Sequence, residues 1–350
     1  MPSSSDIEAE VAVIGAGPCG LFQVFELGLQ GIRARVLDAL EEPGGQCMAL
    51  YPEKPIYDIP ALPVCSGREL TERLLEQIRP FDPQFHLGDP VQRLESIDDG
   101  ARFCLTTAAG REHRVRAVVI AAGAGAFSPV QLKVPGIDAF RDSQLHYAVR
   151  DPEALRGQRL VILGGGDAAL DWVLALQPLA AELTLVHRSQ RFRAAEASVA
   201  EVERLAERGE IRLLRGKVSD FVADAERLSQ VAVAAPGEPL QWLALDQLLV
   251  FFGMSPKLGP VGQWGLELVQ NQIAVDTAHF ETSLPGVYAV GDINGYSGKR
   301  KLILSGFHEA ALAAYAIKAR LEPGKRVPLQ YTTTSPLLHE RLGVAEESGQ

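Results

Sequence analysis

Cysteine is scarce in this chain, and what there is does not pair. The four cysteines, Cys19, Cys47, Cys65 and Cys104, form no CxxC, and no histidine stands at zinc-ligand spacing from them. A structural zinc site and a thiol relay both need such groupings, so neither is expected. The four read as free thiols in a reducing compartment. Long apolar runs are also missing: none approaches the roughly 18 residues of a membrane span. The opening MPSSSDIEAE has no basic start and no apolar core of a secretory signal, so the expected location is the cytoplasm. Positive charge is short as well. Lys and Arg number 34 against 44 Asp and Glu, a net charge of −10. That speaks against nucleic acid, whose binding needs a basic surface.

What is present is a globular composition, 47% hydrophobic and 22% charged over 350 residues. Two domains of about 150 residues suit that length better than one core. The most informative stretch is Glu10–Asp38. Val11–Ile14 is a short apolar run of the buried-strand kind, and it leads into Gly15-x-Gly17-x-x-Gly20. Leu21, Val24, Phe25 and Leu29 then recur at helical spacing, and Gly31 stops the helix. A second strand, Ala34–Leu37, ends in Asp38, 23 positions past Gly15. The first glycine permits a tight turn, the second lets backbone approach a pyrophosphate, and the third lets helix and strand pack closely. The helix N-terminus offers N–H groups to phosphate, and the acid accepts from a ribose hydroxyl. A Gly-rich turn in an ordinary βαβ unit would not require that acid, so this is read as a dinucleotide site.

The same architecture returns at Arg159–Ser189. A strand over Leu160–Leu163 precedes Gly164-x-Gly166-x-x-Ala169, a helix over 167–177 and a strand over Leu183–Val186. The slot held by Asp38 in the first motif is held here by His187, with Arg188, Arg191 and Arg193 behind it. A carboxylate would repel a 2′-phosphate, whereas arginines pair with it. The second site is therefore expected to take NADP(H), the bland alternative being a solvated arginine loop. The first, with its acid and no such arginines, suits FAD. Two sites of these kinds point to a flavoprotein that moves hydride between nicotinamide C4 and flavin N5.

Between the motifs, Ala39–Asp58 reads as a Gly- and Pro-rich loop over a ligand, Ser66–Arg79 as a helix, and Arg114–Ala122 as one apolar strand. A proline-bearing connector begins at Pro129. Near the end, Val287–Val290 is a core strand closed by Gly291-Asp292, and Leu302–Arg320 is a long helix of small residues. Asp292, at a strand end before a helix, is placed to hydrogen-bond a ribityl or phosphate oxygen. The triplet Lys299-Arg300-Lys301 reads as a solvated turn, with a docking surface as the sharper alternative. The tail carries Tyr331 followed by Thr332, Thr333, Thr334 and Ser335, within reach of a cofactor if it folds back.

Taken together, GGQCMALYPEKPIYDIP, VILGGGDAALDW, VHRSQRFRA and GVYAVGDINGYSGKRKLILSGFHEAA resemble the bacterial ferredoxin–NADP⁺ reductases of the thioredoxin-reductase-like type over nearly the whole chain. The Tyr-Pro-Glu-Lys segment sets them apart from thioredoxin reductases. The resemblance implies an α/β chain of two Rossmann-like dinucleotide-binding domains, each three-layered (β/β/α), with a discontinuous FAD domain over residues 1–127 and 284–350 and an NADPH domain over 128–283. It implies a homodimer with non-covalent FAD, Tyr51 over one flavin face and Tyr331 over the other; relatives often carry histidine at the latter position. By the same match Asp38 meets the FAD ribose, Gln46 lies near the flavin, Val91 and Phe127 line the FAD site, and Asp292 and Thr333 hydrogen-bond FAD. Gly164, Gly166, His187, Arg188 and Arg193 would hold NADPH.

The implied activity passes electrons between NADP(H) and ferredoxin or flavodoxin, with no side-chain acid, base or nucleophile. A disulfide reductase would need a cysteine pair by the flavin, and no cysteine lies between Phe127 and Gly164. An NADPH-dependent flavin reductase of small molecules such as quinones, and a redox sensor without turnover, remain open alternatives. Ferredoxins are commonly acidic, so with a net charge of −10 docking would need a local basic patch.

Overall fold

The computed structural model describes residues 9–344 apart from 124, 142, 150, 225 and 226. The chain divides into two compact units. Met1–Ala126 with Pro256–Gln350 make the first, and Phe127–Ser255 the second.

In the first unit, five parallel strands lie in the order Gln84–His86, Ala34–Leu37, Val11–Ile14, Ala117–Ile120, Val287–Ala289. The central strand Val11–Ile14 is fully buried, and its alternation builds two cores at once. Val11 and Val13 face the helices Pro18–Leu29, Gly67–Ile78 and Ile303–Leu321, joining Leu21, Leu70, Leu74 and Ile317. Ala12 and Ile14 face the other way, joining Leu94, Phe103, Leu105 and Val115 from the antiparallel meander Val91–Ile97, Arg102–Thr107, Glu112–Val115. Helices, sheet and meander make the β/β/α sandwich. Gly67–Ile78 starts on a capping box, Ser66 accepting from Glu69 N–H and Glu69 accepting from Ser66 N–H.

The second unit repeats the plan. Its parallel sheet runs Leu145–His146, Gln247–Phe251, Arg159–Gly164, Glu182–His187, Arg212–Arg215. Leu160 and Ile162 pack under the helices Asp167–Leu176 and Glu196–Glu207, while Val161 and Leu163 pack on the meander Lys217–Asp224, Arg227–Ala234, Gln241–Ala244. The edge position taken in the first unit by the late strand Val287–Ala289 is taken here by Leu145–His146, which precedes the glycine turn. Asp246 ties this sheet together. It accepts from Arg159 N (3.0 Å), Arg159 Nε (3.1 Å) and Arg227 Nη2 (2.8 Å). The hydrogen bonds from Arg159 hold its carboxyl down at about 2. Asp246→Ala is expected to cost the second unit about 2 kcal/mol, read by urea unfolding. Because the folded value is depressed, the contribution is complete above about pH 4 and is lost as pH falls through about 2. A parent and variant of equal stability at pH 7 would overturn it.

Two expectations change. The run 114–122 is two strands: Glu112–Val115 belongs to the meander and Ala117–Ile120 to the parallel sheet. Arg116 is the break, donating its N–H to Glu10 O and its guanidinium to Glu10 and to Leu321 O. The return from the second unit comes at 255–256, not at 283–284 as the motifs suggested. Residues 256–283 belong with the first unit because Val261, Leu266 and Ile273 fill its meander-side core, and Trp264 Nε1 donates to Gln92 O (3.1 Å). Among the described residues no helix is long and apolar enough to cross a membrane.

Candidate functional site

Both glycine turns sit at the carboxyl end of the central strand of their sheet, where strand order reverses and dinucleotides bind in open α/β sheets. In the first, Gly15 has φ +111°, and a Cβ there would stand 2.4 Å from Ala121 O. A Cβ on Gly20 would stand 1.9 Å from Gly15 O. These two glycines are required by the protein's own backbone. Gly17 is not: its φ is −72°, and a Cβ would meet only Gly45 Cα at 3.8 Å. The fold does not need a bare backbone at Gly17, and the open space there is of the kind a pyrophosphate approaches. The helix beyond it starts with Pro18 and carries no side-chain cap, so its first N–H groups are left for an anion.

Asp38 closes the adjacent edge. Its Oδ2 accepts Ala16 N–H and its Oδ1 accepts Leu40 N–H (2.8 Å), which leaves acceptor capacity for a ribose hydroxyl. Burial pushes the carboxyl up, against the backbone hydrogen bonds of Leu40, Ala16 and Ala39. A hydroxyl donor would satisfy such a partly desolvated carboxylate. Over the turn lies the loop expected at 39–58, with one helical turn inside it, Gln46–Leu50. Gly44 N–H donates to Ala16 O (2.8 Å), so the loop is fastened to the glycine turn. Gln46 opens that short helix and Tyr51 ends it, 37% exposed, with Lys54 Nζ 5.9 Å from its ring centre. Burial raises the Tyr51 phenol, with smaller contributions from Cys47 and Asp292. Val91 begins the meander and is buried with Leu37 and Ile14. The Phe127 side chain lies outside the described residues.

The structure does not bring the tail to this locality. Tyr331 is 64% exposed and Thr333 is exposed, so neither is packed into a core of its own chain. The helix that follows, Pro336–Leu342, docks instead at the far end of Pro18–Leu29, where the Arg341 guanidinium donates to Leu29 O.

In the second unit Gly164 is the tight glycine, its Cβ position lying 2.6 Å from Phe251 O. His187 fills the slot an acid would take. Its ring stacks on Phe192 (5.0 Å, 18°), its Nε2 is 3.1 Å from Arg191 O, and a Cβ on Gly165 would strike it. The arginine loop is folded onto the turn, because Arg193 N–H donates to Gly165 O (2.7 Å) and Arg193 bridges to Gly166. Arg188, Arg191 and Arg193 are exposed, and no described carboxylate pairs with any of them. Exposed guanidiniums without a described carboxylate partner, on a loop fastened to a glycine turn, are groups that suit a phosphate.

The basic triplet divides: Arg300 and Lys301 are exposed, as a solvated turn would have them, whereas the Lys299 side chain is buried against Glu309, a residue whose importance motif reading missed. Its signal is a carboxylate set among Gly306, Ala310 and Ala313, all buried on one helix face.

Over residues 9–317 the chain matches the pyridine nucleotide-disulphide oxidoreductase family. It is 53% identical, over 97% of its length and 91% of the relative's, to ferredoxin–NADP reductase 2 of Cupriavidus taiwanensis. It is 54% identical, over 97% and 93%, to the ferredoxin–NADP reductase of Methylibium petroleiphilum. Among solved structures it resembles the thioredoxin reductase of Lactococcus lactis, at TM-score 0.74 and 23% identity over 90% of this chain and 99% of that one. It also resembles the bacillithiol disulfide reductase of Staphylococcus aureus, at TM-score 0.76 and 18% identity over 89% and 99%. These two likenesses speak for the fold.

Proposed function

The chain belongs to the pyridine nucleotide-disulphide oxidoreductase family and, within it, to the thioredoxin-reductase-like ferredoxin–NADP reductases; from that membership we propose that it exchanges electrons between NADP(H) and ferredoxin or flavodoxin. Its cofactors are FAD and NADP(H). Bound FAD supplies a ring nitrogen that exchanges hydride with nicotinamide C4 and hands electrons on singly. The chain's residues bind and orient. Gly15, Gly17 and Gly20 take the FAD pyrophosphate, Asp38 its ribose, and Gln46, Tyr51, Val91, Phe127 and Asp292 the rest of FAD. Gly164, Gly166, His187, Arg188 and Arg193 take NADPH. No side-chain acid or base is assigned: hydride would bring its hydrogen together with both electrons, and the proton left when the electrons depart singly would pass to solvent.

The observation that carries the choice of acceptor is the state of the thiols. Reduction of a disulfide substrate needs a thiolate. Burial, reinforced by Asp292 and Glu309, pushes Cys19 up to about 12, and burial pushes Cys47 up to about 11. Both stay protonated at neutral pH, so the likeness to disulfide reductases stops at the fold. The test is turnover of NADPH with ferredoxin, flavodoxin, thioredoxin and a quinone in parallel. Reduction of ferredoxin or flavodoxin without thioredoxin is the expected result. Quinone reduction alone would assign the chain to small-molecule flavin reductases, and thioredoxin reduction would refute the proposal.

The same reading includes the cytoplasm, which suits four free cysteines, and a homodimer. Within one chain Tyr331 and Thr333 face solvent, whereas a second copy can offer them a flavin. Ending the chain after Gln330 is expected to change the bound flavin's absorption spectrum. A monomer in sedimentation, with a spectrum unaltered by that truncation, would count against the dimer.

A further inference from the structure

Four donors converge on one carboxylate behind the Gly291–Asp292 turn. Glu309 is 0% exposed. Its Oε1 accepts from Lys299 Nζ and from Tyr296 Oη (2.9 Å), and its Oε2 accepts from Gly291 N (2.7 Å) and Asn294 Nδ2 (2.8 Å). All four acceptor positions of the carboxylate are thereby filled. Lys299, 6% exposed at its side chain, gives a second hydrogen bond to Gly291 O (2.9 Å). Gly291 is therefore gripped at both ends of its backbone, the N–H by Glu309 and the C=O by Lys299. It also holds φ +79°, a conformation that glycine adopts without steric cost. Gln272 Nε2 adds a hydrogen bond to Asn294 O (2.8 Å) on the far side of the turn.

A buried ion pair is a poor source of stability, since apolar residues of the same volume often do as well. Its use here is geometric. We propose that the Lys299–Glu309 pair, with Tyr296 and Asn294, is a positioning device that fixes the Gly291–Asp292 turn and so presents the Asp292 carboxylate to the flavin cofactor. Lys299 also offsets the burial that disfavours a charged Asp292. The inference rests on the reading of Asp292 as an FAD ligand, and the test separates the two.

Four variants of the full chain are prepared with FAD bound: Lys299→Met, Tyr296→Phe, Asp292→Asn and, as a control on the helix that carries Glu309, Lys318→Met, which breaks the part-buried pair with Glu322. FAD affinity is read from the fluorescence of released flavin, turn geometry from the visible circular dichroism of bound flavin, and stability from thermal unfolding. Lys299→Met is expected to weaken FAD binding about tenfold or more and to change the flavin dichroism. Tyr296→Phe should move both in the same direction by less, and Lys318→Met should move neither. KM for NADPH should stay within about twofold throughout, because the pair lies in the FAD unit. Unchanged affinity and dichroism in Lys299→Met, whatever its melting temperature, would reduce the pair to a structural contact and overturn the proposal. If Lys299→Met does not fold, Tyr296→Phe decides by the same criterion. If Asp292→Asn binds FAD as the parent does, the underlying reading of Asp292 fails. If Asp292→Asn weakens binding and Lys299→Met does not, only the positioning role fails.

Discussion

Replacing Arg188 and Arg193 together by alanine is expected to raise KM for NADPH about a hundredfold and to leave KM for NADH within about twofold. The two cofactors differ only in the 2′-phosphate, so the ratio of the two effects isolates that contact. Each charge-assisted hydrogen bond to a phosphate contributes about 1.5–3 kcal/mol, and every 1.4 kcal/mol is tenfold. Both guanidiniums are exposed, so screening argues for the lower figure, and two such contacts still give roughly two orders of magnitude. The side chains have no carboxylate partner to release among the described residues, so their loss should not unfold the loop. The loop is held by backbone, through Arg193 N–H to Gly165 O, and by His187 stacked on Phe192. The kcat with saturating NADPH should therefore be nearly unchanged. Equal rises for NADPH and NADH would show that the arginines support the loop and do not read the phosphate.

The parts of this protein that could be read from its residues are those whose physics is local. A strand, a glycine turn, a helix and a second strand follow one another closely in each unit, so both βαβ units were legible from spacing alone. The unbroken apolar run Val11–Ile14 marked a buried strand, and its two faces enter two cores. What was not legible depends on partners far along the chain. Arg116 breaks an apolar run because Glu10 and Leu321 are beside it, and neither is near in sequence. The return to the first unit at 255–256 is set by Val261 and Ile273 finding the underside of the Val118 and Ile120 strand. Lys299 looked like its two basic neighbours, and only the buried Glu309 ten positions later gives it a different role. Tyr331 is exposed in a single chain, so its partner is not a matter of this sequence's own packing.

Gly17→Ala is expected to give a folded protein that cannot hold FAD, and Gly20→Ala one that folds poorly with or without it. The glycines are three positions apart in one turn, and the difference comes from what surrounds each Cβ position. At Gly20 a methyl would lie 1.9 Å from Gly15 O, a backbone atom on the central strand's turn that cannot move without unseating the strand from Ala121. Overpacking of that kind costs about 1–3 kcal/mol or more and is felt in the apoprotein. At Gly17 the backbone is extended, any residue can adopt it, and the nearest protein atom to a methyl is 3.8 Å away. The apoprotein should therefore unfold at the parent's temperature. The methyl occupies the space through which the pyrophosphate must approach the N–H groups at the start of Pro18–Leu29, and the loss there should be about a hundredfold or more in FAD affinity. The measurement is a pair: thermal unfolding of the flavin-free proteins, and flavin retained after gel filtration. With NADPH assigned to the other glycine turn, added NADPH should still protect the second unit of the Gly17→Ala protein from proteolysis. A yellow, flavin-replete Gly17→Ala protein would mean that the pyrophosphate does not cross this turn. The assignment of the first unit to FAD would then fall, while the second unit's arginines would keep their reading.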